Sequence, residues 1–186
     1  MNDGNTPQSY GIVEHKHRYS AWAASRAAST KTCRFDVCTG KRIIETIGLP
    51  ALLADPELLP NERDIDAVHR QWCANAIKSA TEHGLCGFGH GVAAKLINVY
   101  LKGAFVCGGY EDHENVRMLH PPIDSLLLDE LYTRNVGGLR TTWATARKLR
   151  WSKLDAEQYQ AVIRGIRLAM DGKPLWQVEA HWRGYQ

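Results

Sequence analysis

The chain has 186 residues, of which 44% are hydrophobic and 23% are charged, a composition typical of one globular domain and unlike that of a disordered, collagen-like or coiled-coil sequence. Its formal charge of +3 allows an anionic partner without requiring one. The five cysteines include no Cys-x-x-Cys pair, which argues against a disulfide scaffold, a zinc ribbon or an iron–sulfur cluster. We therefore expect neither a metal nor a cofactor.

The N-terminus is polar, and residues 1–10 predict a flexible tail ahead of a single helical domain over 11–186, which could comprise two lobes. No segment reaches the roughly 18 consecutive apolar residues of a membrane-spanning helix. The first residues also lack the apolar core of an export signal. We expect a cytoplasmic protein that does not contact a membrane.

Hydrophobic periodicity and helix-ending residues predict an all-α fold, and no period-2 alternation is long enough for a strand. The alanine-rich run around Trp22 favours a first helix. Gly48 and Pro50 end the second, and Asp124 is placed to cap a helix that begins after Pro122. The predicted helices cover residues 14–30, 41–47, 61–84, 92–102, 125–133, 141–147, 155–171 and one or two turns of 174–182, with a loop over 104–119.

The turn between the third and fourth predicted helices contains three alternating glycines, Gly87, Gly89 and Gly91. Glycine permits positive φ and close backbone approach, and the N–H groups at a helix start carry partial positive charge. Such a corner can hold a phosphate of a nucleic-acid backbone without reading its sequence. The alternative is a helix–helix corner that needs glycine only for packing.

A longer pattern surrounds these glycines: Leu85-Cys-Gly-Phe-Gly-His-Gly-Val-Ala, a helix over 92–102, and His120-Pro-Pro-Ile-Asp ahead of the next helix. This series resembles the helix-hairpin-helix signature of the DNA glycosylase superfamily over about residues 84–131. The resemblance implies a compact helical domain built around a helix-hairpin-helix, with the hairpin and a catalytic loop at about 72–131.

The resemblance further implies that the protein binds DNA and excises a damaged or modified base, with Asp124 as the catalytic carboxylate. Breaking the bond between C1′ and the base develops positive charge on the sugar, which a carboxylate stabilises while it orients the attacking water. We expect a monofunctional hydrolytic enzyme. The alternative for Asp124 is a helix cap alone, which contributes about 1 kcal/mol.

Family members that also cut the DNA backbone carry a Schiff-base lysine at the position that aligns with Gly91. Lys95 lies one helical turn further along on the same face, so it could replace that nucleophile, contact phosphate or be an ordinary surface lysine. The spacing from Gly91 to Asp124 exceeds that usual in the family and requires 103–119 as an inserted loop. We interpret this loop as one that contacts substrate.

The first helix offers a candidate base pocket, because Arg18, Trp22 and Arg26 recur on one helical face. A tryptophan between two arginines can stack a flipped base while the cations hold phosphates. We place His120 in the same pocket. The alternative is that Trp22 belongs to the core and the arginines extend over it. We assign four other tryptophans to the core, namely Trp143, Trp151, Trp176 and Trp182.

A basic stretch near the C-terminal third could follow the DNA backbone, although a solvated basic face is an equally good interpretation. A noncatalytic nucleic-acid-binding helical protein remains the main alternative function, and a small-molecule or protein-interaction module is a third. The residues expected to contact DNA are Gly87, Gly89, His90, Gly91, Arg140, Arg147 and Lys148.

Overall fold

The computed structural model describes residues 10–185, and every regular element among them is helical. The all-α prediction is therefore confirmed. The expected tail over 1–10 lies outside the described residues, apart from Tyr10. The α-helices are α1 (Ile12–Ala28), α2 (Val37–Thr46), α3 (Ile65–Glu82), α4 (His90–Leu101), α5 (Glu114–Arg117), α6 (Ser125–Thr133), α7 (Arg140–Leu149) and α8 (Ala156–Met170). Short 3₁₀ segments cover Leu49–Ala54, Pro56–Leu58, Val136–Gly138, Trp151–Lys153 and Leu175–His181.

Local capping sets several helix starts. Helix α2 begins four residues before the predicted start because the Asp36 carboxylate accepts the Thr39 N–H at 2.8 Å. Helix α8 begins at a capping box, in which Asp155 and Gln158 each accept the other's backbone N–H. Helix α6 begins and ends as predicted, since Asp124 caps it.

Helix α4 is the centre of the molecule. Its residues Gly91 to Asn98 are buried, and it packs against α1, α3 and α8. With its continuation it forms a helical stretch, His90–Tyr110, whose length and mean hydropathy of 1.2 would suit a membrane span. However, 67% of that window is buried against the rest of the chain, which is the position of a core helix.

The predicted loop over 103–119 is wrong for its first half. Helix α4 continues without a break into a π-helical segment, Lys102–Tyr110, and α5 follows. The helix continues because Ala104 and Phe105 are buried in the same core as α4. Gly109, at φ +88°, marks where the helical backbone ends. The segment is therefore a packed helix and not a mobile insertion.

Candidate active site

Lys95 and Asp124 line one cavity and contact each other there. Lys95 lies on α4, one turn beyond Gly91, and Asp124 is the N-cap of α6. The lysine Nζ donates to Asp124 Oδ2 at 3.0 Å, and the two side chains are 8% and 19% exposed. The sequence pattern indicates both residues separately, and the fold joins them in one ion pair.

The cavity has a volume of about 550 Å³, within the range of roughly 300–1,000 Å³ that ligand pockets occupy. One wall is a stripe of α1, in which Tyr19, Ala23 and Ala27 recur every four residues. The small alanine side chains leave room for a planar ligand. The remaining lining residues are Lys95, Val99, Lys102, Gly103, Cys107, Pro122, Asp124, Glu179 and Trp182.

Asp124 is held by three donors. Its Oδ1 accepts the Leu127 N–H at 2.9 Å, which caps α6. Its Oδ2 accepts both the Lys95 ammonium and the Trp182 indole N–H, each at 3.0 Å. The carboxylate is therefore fixed in place, with its charge balanced by Lys95 and the start of α6.

Burial shifts the pKa values of two ionisable groups that line the cavity. Burial lowers the pKa of Lys95, although the charges of Asp124 and Glu179 oppose the shift. Burial also raises the pKa of Glu179, although its ion pair with Lys102 opposes that shift. A lysine with a lowered pKa is the form of lysine that acts as a nucleophile near neutral pH.

Trp182 is the main site residue that sequence reasoning missed. We assigned it to the core, but it lines the cavity and its indole N–H faces Asp124. Trp143 is fully buried as predicted, whereas Trp151 and Trp176 are half-buried. No local pattern distinguishes Trp182 from these, because its role depends on the 3₁₀ segment Leu175–His181 returning to α6.

A second, smaller cavity of about 290 Å³ begins beside the ion pair. Ser125, the residue after Asp124, lines it, and so does Trp151, whose ring centroid lies 5.7 Å from Lys95 Nζ. Arg150 also lines it, at a positive φ of +65° that non-glycine residues rarely adopt. The pair thus lies between the larger cavity and a smaller one with basic residues.

The glycine corner is only partly available to an anion. The N–H of Gly91 donates to Leu154 O, and a Cβ at Gly91 would lie 2.0 Å from Trp151 O. The expectation that Gly91 contacts DNA is therefore wrong, because this residue is required for packing. The N–H of Gly89 is also paired, with Gly87 O at 3.0 Å. Among the described carbonyls, none accepts the backbone N–H of Gly87 or His90.

The residues of the base pocket predicted on α1, Arg18, Trp22 and Arg26, do not line this cavity. Trp22 is 51% exposed and lies beside Tyr19, with ring centroids 6.0 Å apart, but it does not line the cavity. Arg18 is paired with Glu14 and lies over Tyr10. Tyr19, Ala23 and Ala27 form the cavity wall instead. Each of them follows one of the predicted residues directly in the sequence, so their face is rotated around the helix by about one residue from the predicted face.

Arg26 does not reach this cavity either, and lines a groove at the C-terminal end of α1. The His120 side chain is buried away from the cavity. Its ring forms hydrogen bonds with Asp66 Oδ1 at 2.9 Å and with the Tyr159 hydroxyl at 3.2 Å. The prediction that His120 belongs to a base pocket is therefore wrong, because it joins a polar network inside the core.

The basic stretch on α7 is exposed, and its members differ in their partners. Arg147 pairs with Asp129 at 2.5 Å and lies over the Tyr132 ring. Arg140 lies over the same ring, at 5.3 Å. Lys148 has no ion-pair partner in the part of the chain that the structure describes.

Within residues 10–185, no group of three or more histidine, cysteine or acidic side chains is arranged to hold a metal ion.

A larger cavity of about 890 Å³ lies elsewhere, between α5 and the end of α8. Most of its lining side chains are charged or polar, and they include no buried ion pair like that of Lys95 and Asp124.

Comparison with family models, with characterised proteins and with solved structures finds no match.

Proposed function

We propose that the protein is a DNA glycosylase that excises a damaged or modified base at the Lys95–Asp124 pair. The observation that carries the proposal is the 3.0 Å contact between these two side chains, both of which line a cavity of about 550 Å³. Nothing in their sequence positions requires them to meet. A buried amine and a carboxylate facing one cavity are the groups that bond cleavage at a sugar C1′ needs.

The geometry favours Lys95 as the nucleophile over a water activated by Asp124. The two oxygens of the Asp124 carboxylate already accept three hydrogen bonds, from Lys95, Trp182 and the Leu127 N–H, which leaves few acceptor positions for an attacking water. Desolvation of Lys95 lowers its pKa and so favours the neutral amine that a nucleophile requires. We therefore modify the monofunctional expectation and propose a glycosylase with lyase activity.

In the proposed reaction, Lys95 passes a proton to Asp124, and the neutral amine attacks C1′ while the C1′–N bond breaks. The departing base takes that proton from Asp124. The new ammonium at C1′ returns a proton to the Asp124 carboxylate, and O4′ takes that proton as the C1′–O4′ bond breaks and the protonated imine forms. Asp124 then accepts a C2′ proton while the C3′–O bond breaks and the 3′ phosphate departs. Water finally hydrolyses the imine and frees Lys95.

The dimensions and lining of the cavity suit a flipped base. The base would enter between the alanines of α1 and the Trp182 ring. The Lys102 ammonium would offer a hydrogen-bond donor, and the Glu179 carboxylate an acceptor, to the edge of the base. The neighbouring smaller cavity, with Arg150 and Ser125, would receive the flanking phosphate.

The test uses a panel of duplexes, each with one oxidised, alkylated, deaminated, mismatched or hypermodified base. We expect strand cleavage of at least one duplex without alkali, and a covalent complex after borohydride reduction. Lys95→Ala should abolish the complex and lower excision at least 100-fold, and Asp124→Asn should lower excision to a similar degree while DNA binding persists. Lys78→Ala, which alters a lysine of α3 outside the cavity, should change neither result.

Three outcomes would change the proposal. Excision that survives in Lys95→Ala, without trapping but with loss in Asp124→Asn, would restore the hydrolytic mechanism. Excision that survives in both variants would remove the pair from catalysis. Duplex binding with no abasic product from any substrate would leave a noncatalytic nucleic-acid-binding protein.

A further inference from the structure

A groove beside the glycine corner contains cations that the site chemistry does not use. It lies between the end of α1 and the start of α2 and has a volume of about 620 Å³. Arg26, Lys31 and Arg34 line it. None of these three side chains forms a hydrogen bond or an ion pair within residues 10–185. The one carboxylate in the groove, Asp36, is used to cap α2.

Hydroxyl groups in the same groove are oriented by the backbone. The Ser29 Oγ accepts the Phe35 N–H at 3.2 Å, and the Thr30 Oγ1 accepts the Cys33 N–H at 2.9 Å. Because the Ser29 oxygen serves as an acceptor there, its own O–H is left to donate. Three cations beside such a donor suit the oxygens of a phosphodiester.

The groove is continuous with the glycine corner. A Cβ at Gly87 would lie 2.9 Å from Thr32 O, so the segment 30–34 lies directly against the corner. Lys31 and Arg34 flank that contact in sequence. The Gly87 and His90 N–H groups, which have no carbonyl partner in the described chain, begin the same surface.

The groove also adjoins the cavity. Ala23 lines the cavity and Arg26, three residues later on α1, lines the groove, so the two lie on neighbouring strips of one helix. A DNA strand that places one nucleotide in the cavity would therefore pass beside the groove. Three apolar side chains, Phe35, Val37 and Cys38, line the groove beside its charged and hydroxyl groups.

We infer that Arg26, Lys31 and Arg34 bind the phosphodiester backbone of duplex DNA beside the excised nucleotide. This inference rests on the proposed function for the identity of the polyanion. The contact is independent of sequence, because the polar groups that the groove presents are charges and hydroxyl groups, which bind phosphates and do not distinguish bases. Its contribution to affinity is electrostatic and is therefore reduced by salt.

The test compares two triple variants in binding to a labelled, unmodified duplex of about 20 base pairs, by fluorescence anisotropy at several KCl concentrations. The first is Arg26→Gln/Lys31→Gln/Arg34→Gln. The matched control is Lys78→Gln/Arg164→Gln/Lys173→Gln, which removes three cations from other surfaces. Circular dichroism melting shows whether each variant folds like the wild type.

The groove variant should bind at least tenfold more weakly near 0.1 M salt, and its slope of log affinity against log salt should fall by about 3, roughly 0.9 for each phosphate that the variant no longer neutralises. The control should change affinity less than about threefold.

Equal loss of affinity in the two triple variants would overturn the inference while wild-type excision leaves the proposed function intact. Selective loss in the groove variant, with no excision by the wild type on any duplex, would support the groove and overturn the glycosylase. A wild type that binds no duplex would overturn both.

Discussion

Lys95 Nζ lies 3.0 Å from Asp124 Oδ2, although 29 residues separate the two in the chain. The pair is nearly buried, so each charge depends on the other to offset its desolvation. Trp182 completes the arrangement by donating to the same carboxylate oxygen. The hydrogen bonds among these three residues are the basis for the effects expected of changes at Trp182 and Asp124.

Trp182→Phe should lower the excision rate roughly 10- to 100-fold, because a hydrogen bond to a charged group contributes about 1.5–3 kcal/mol and its loss frees the carboxylate to rotate. The aromatic character is retained, so duplex affinity should stay within about threefold. Single-turnover excision is the measurement. Trp176→Phe is the control, since it removes an indole N–H that donates to Glu111 O. Equal losses in both variants would contradict a role for Trp182 at Asp124.

Asp124→Ala should be less stable to urea than Asp124→Asn by about 1 kcal/mol, because only asparagine still offers an oxygen to the Leu127 N–H and so caps α6. Both variants leave the buried Lys95 without its anion, at a cost of about 3 kcal/mol. Equilibrium urea unfolding separates the two effects. The same comparison at Asp36, the exposed cap of α2, should show the cap difference without the larger loss. Identical stability of the two Asp124 variants would show that the cap contributes nothing.

Gly91→Ala should destabilise the protein by about 3 kcal/mol or prevent folding, because the new Cβ would lie 2.0 Å from Trp151 O. Gly89→Ala should cost less than about 1 kcal/mol, since its φ is −93° and no atom lies within 4 Å of the added Cβ. Thermal melting of the two variants side by side checks the contrast. If both are tolerated equally, the segment 151–154 does not pack on α4 as described.

Stability should fall as the pH falls below about 6.5. His69 and His120 pack together inside the core, with ring centroids 4.3 Å apart and ring planes tilted by 42°, and burial lowers the pKa of each below the usual 6.5. The unfolded chain therefore binds more protons than the folded chain below pH 6.5, so acid favours unfolding. Although burial opposes it, hydrogen bonds from His120 and Arg167 lower the pKa of Asp66, whose stabilising effect is lost only below about 3.8.

The expected loss is about 1 kcal/mol per pH unit for each buried histidine. His120→Gln should reduce the slope of unfolding free energy against pH by that amount between about pH 6.5 and 5, whatever its effect on absolute stability. Urea unfolding in that pH range provides the measurement. His83→Gln, at an exposed position, should leave the slope unchanged. An unchanged slope in His120→Gln would mean that this histidine is charged in the folded protein.

Local chemistry made most of the fold predictable. Caps, glycines and prolines act over a short stretch of chain, which is why the helix over 125–133 was predicted to the residue. The extension of α4 through Lys102–Tyr110 was not predictable in the same way. Its glycines favour a loop locally, whereas burial of Ala104 and Phe105 against the core stabilises the helix, and that burial depends on distant segments.

The sequence by itself determined the helical class, the cap at Asp124 and the candidacy of Lys95, because each depends on neighbours along the chain. Only the tertiary structure decided that these two side chains form one pair, that Trp182 joins them, and that Gly91 is enclosed by residues 151–154. The tertiary structure also decided that Tyr19, and not Trp22, lines the cavity wall on α1. The physical reason is that helix rotation and burial are set by packing between segments far apart in sequence, which no local pattern encodes.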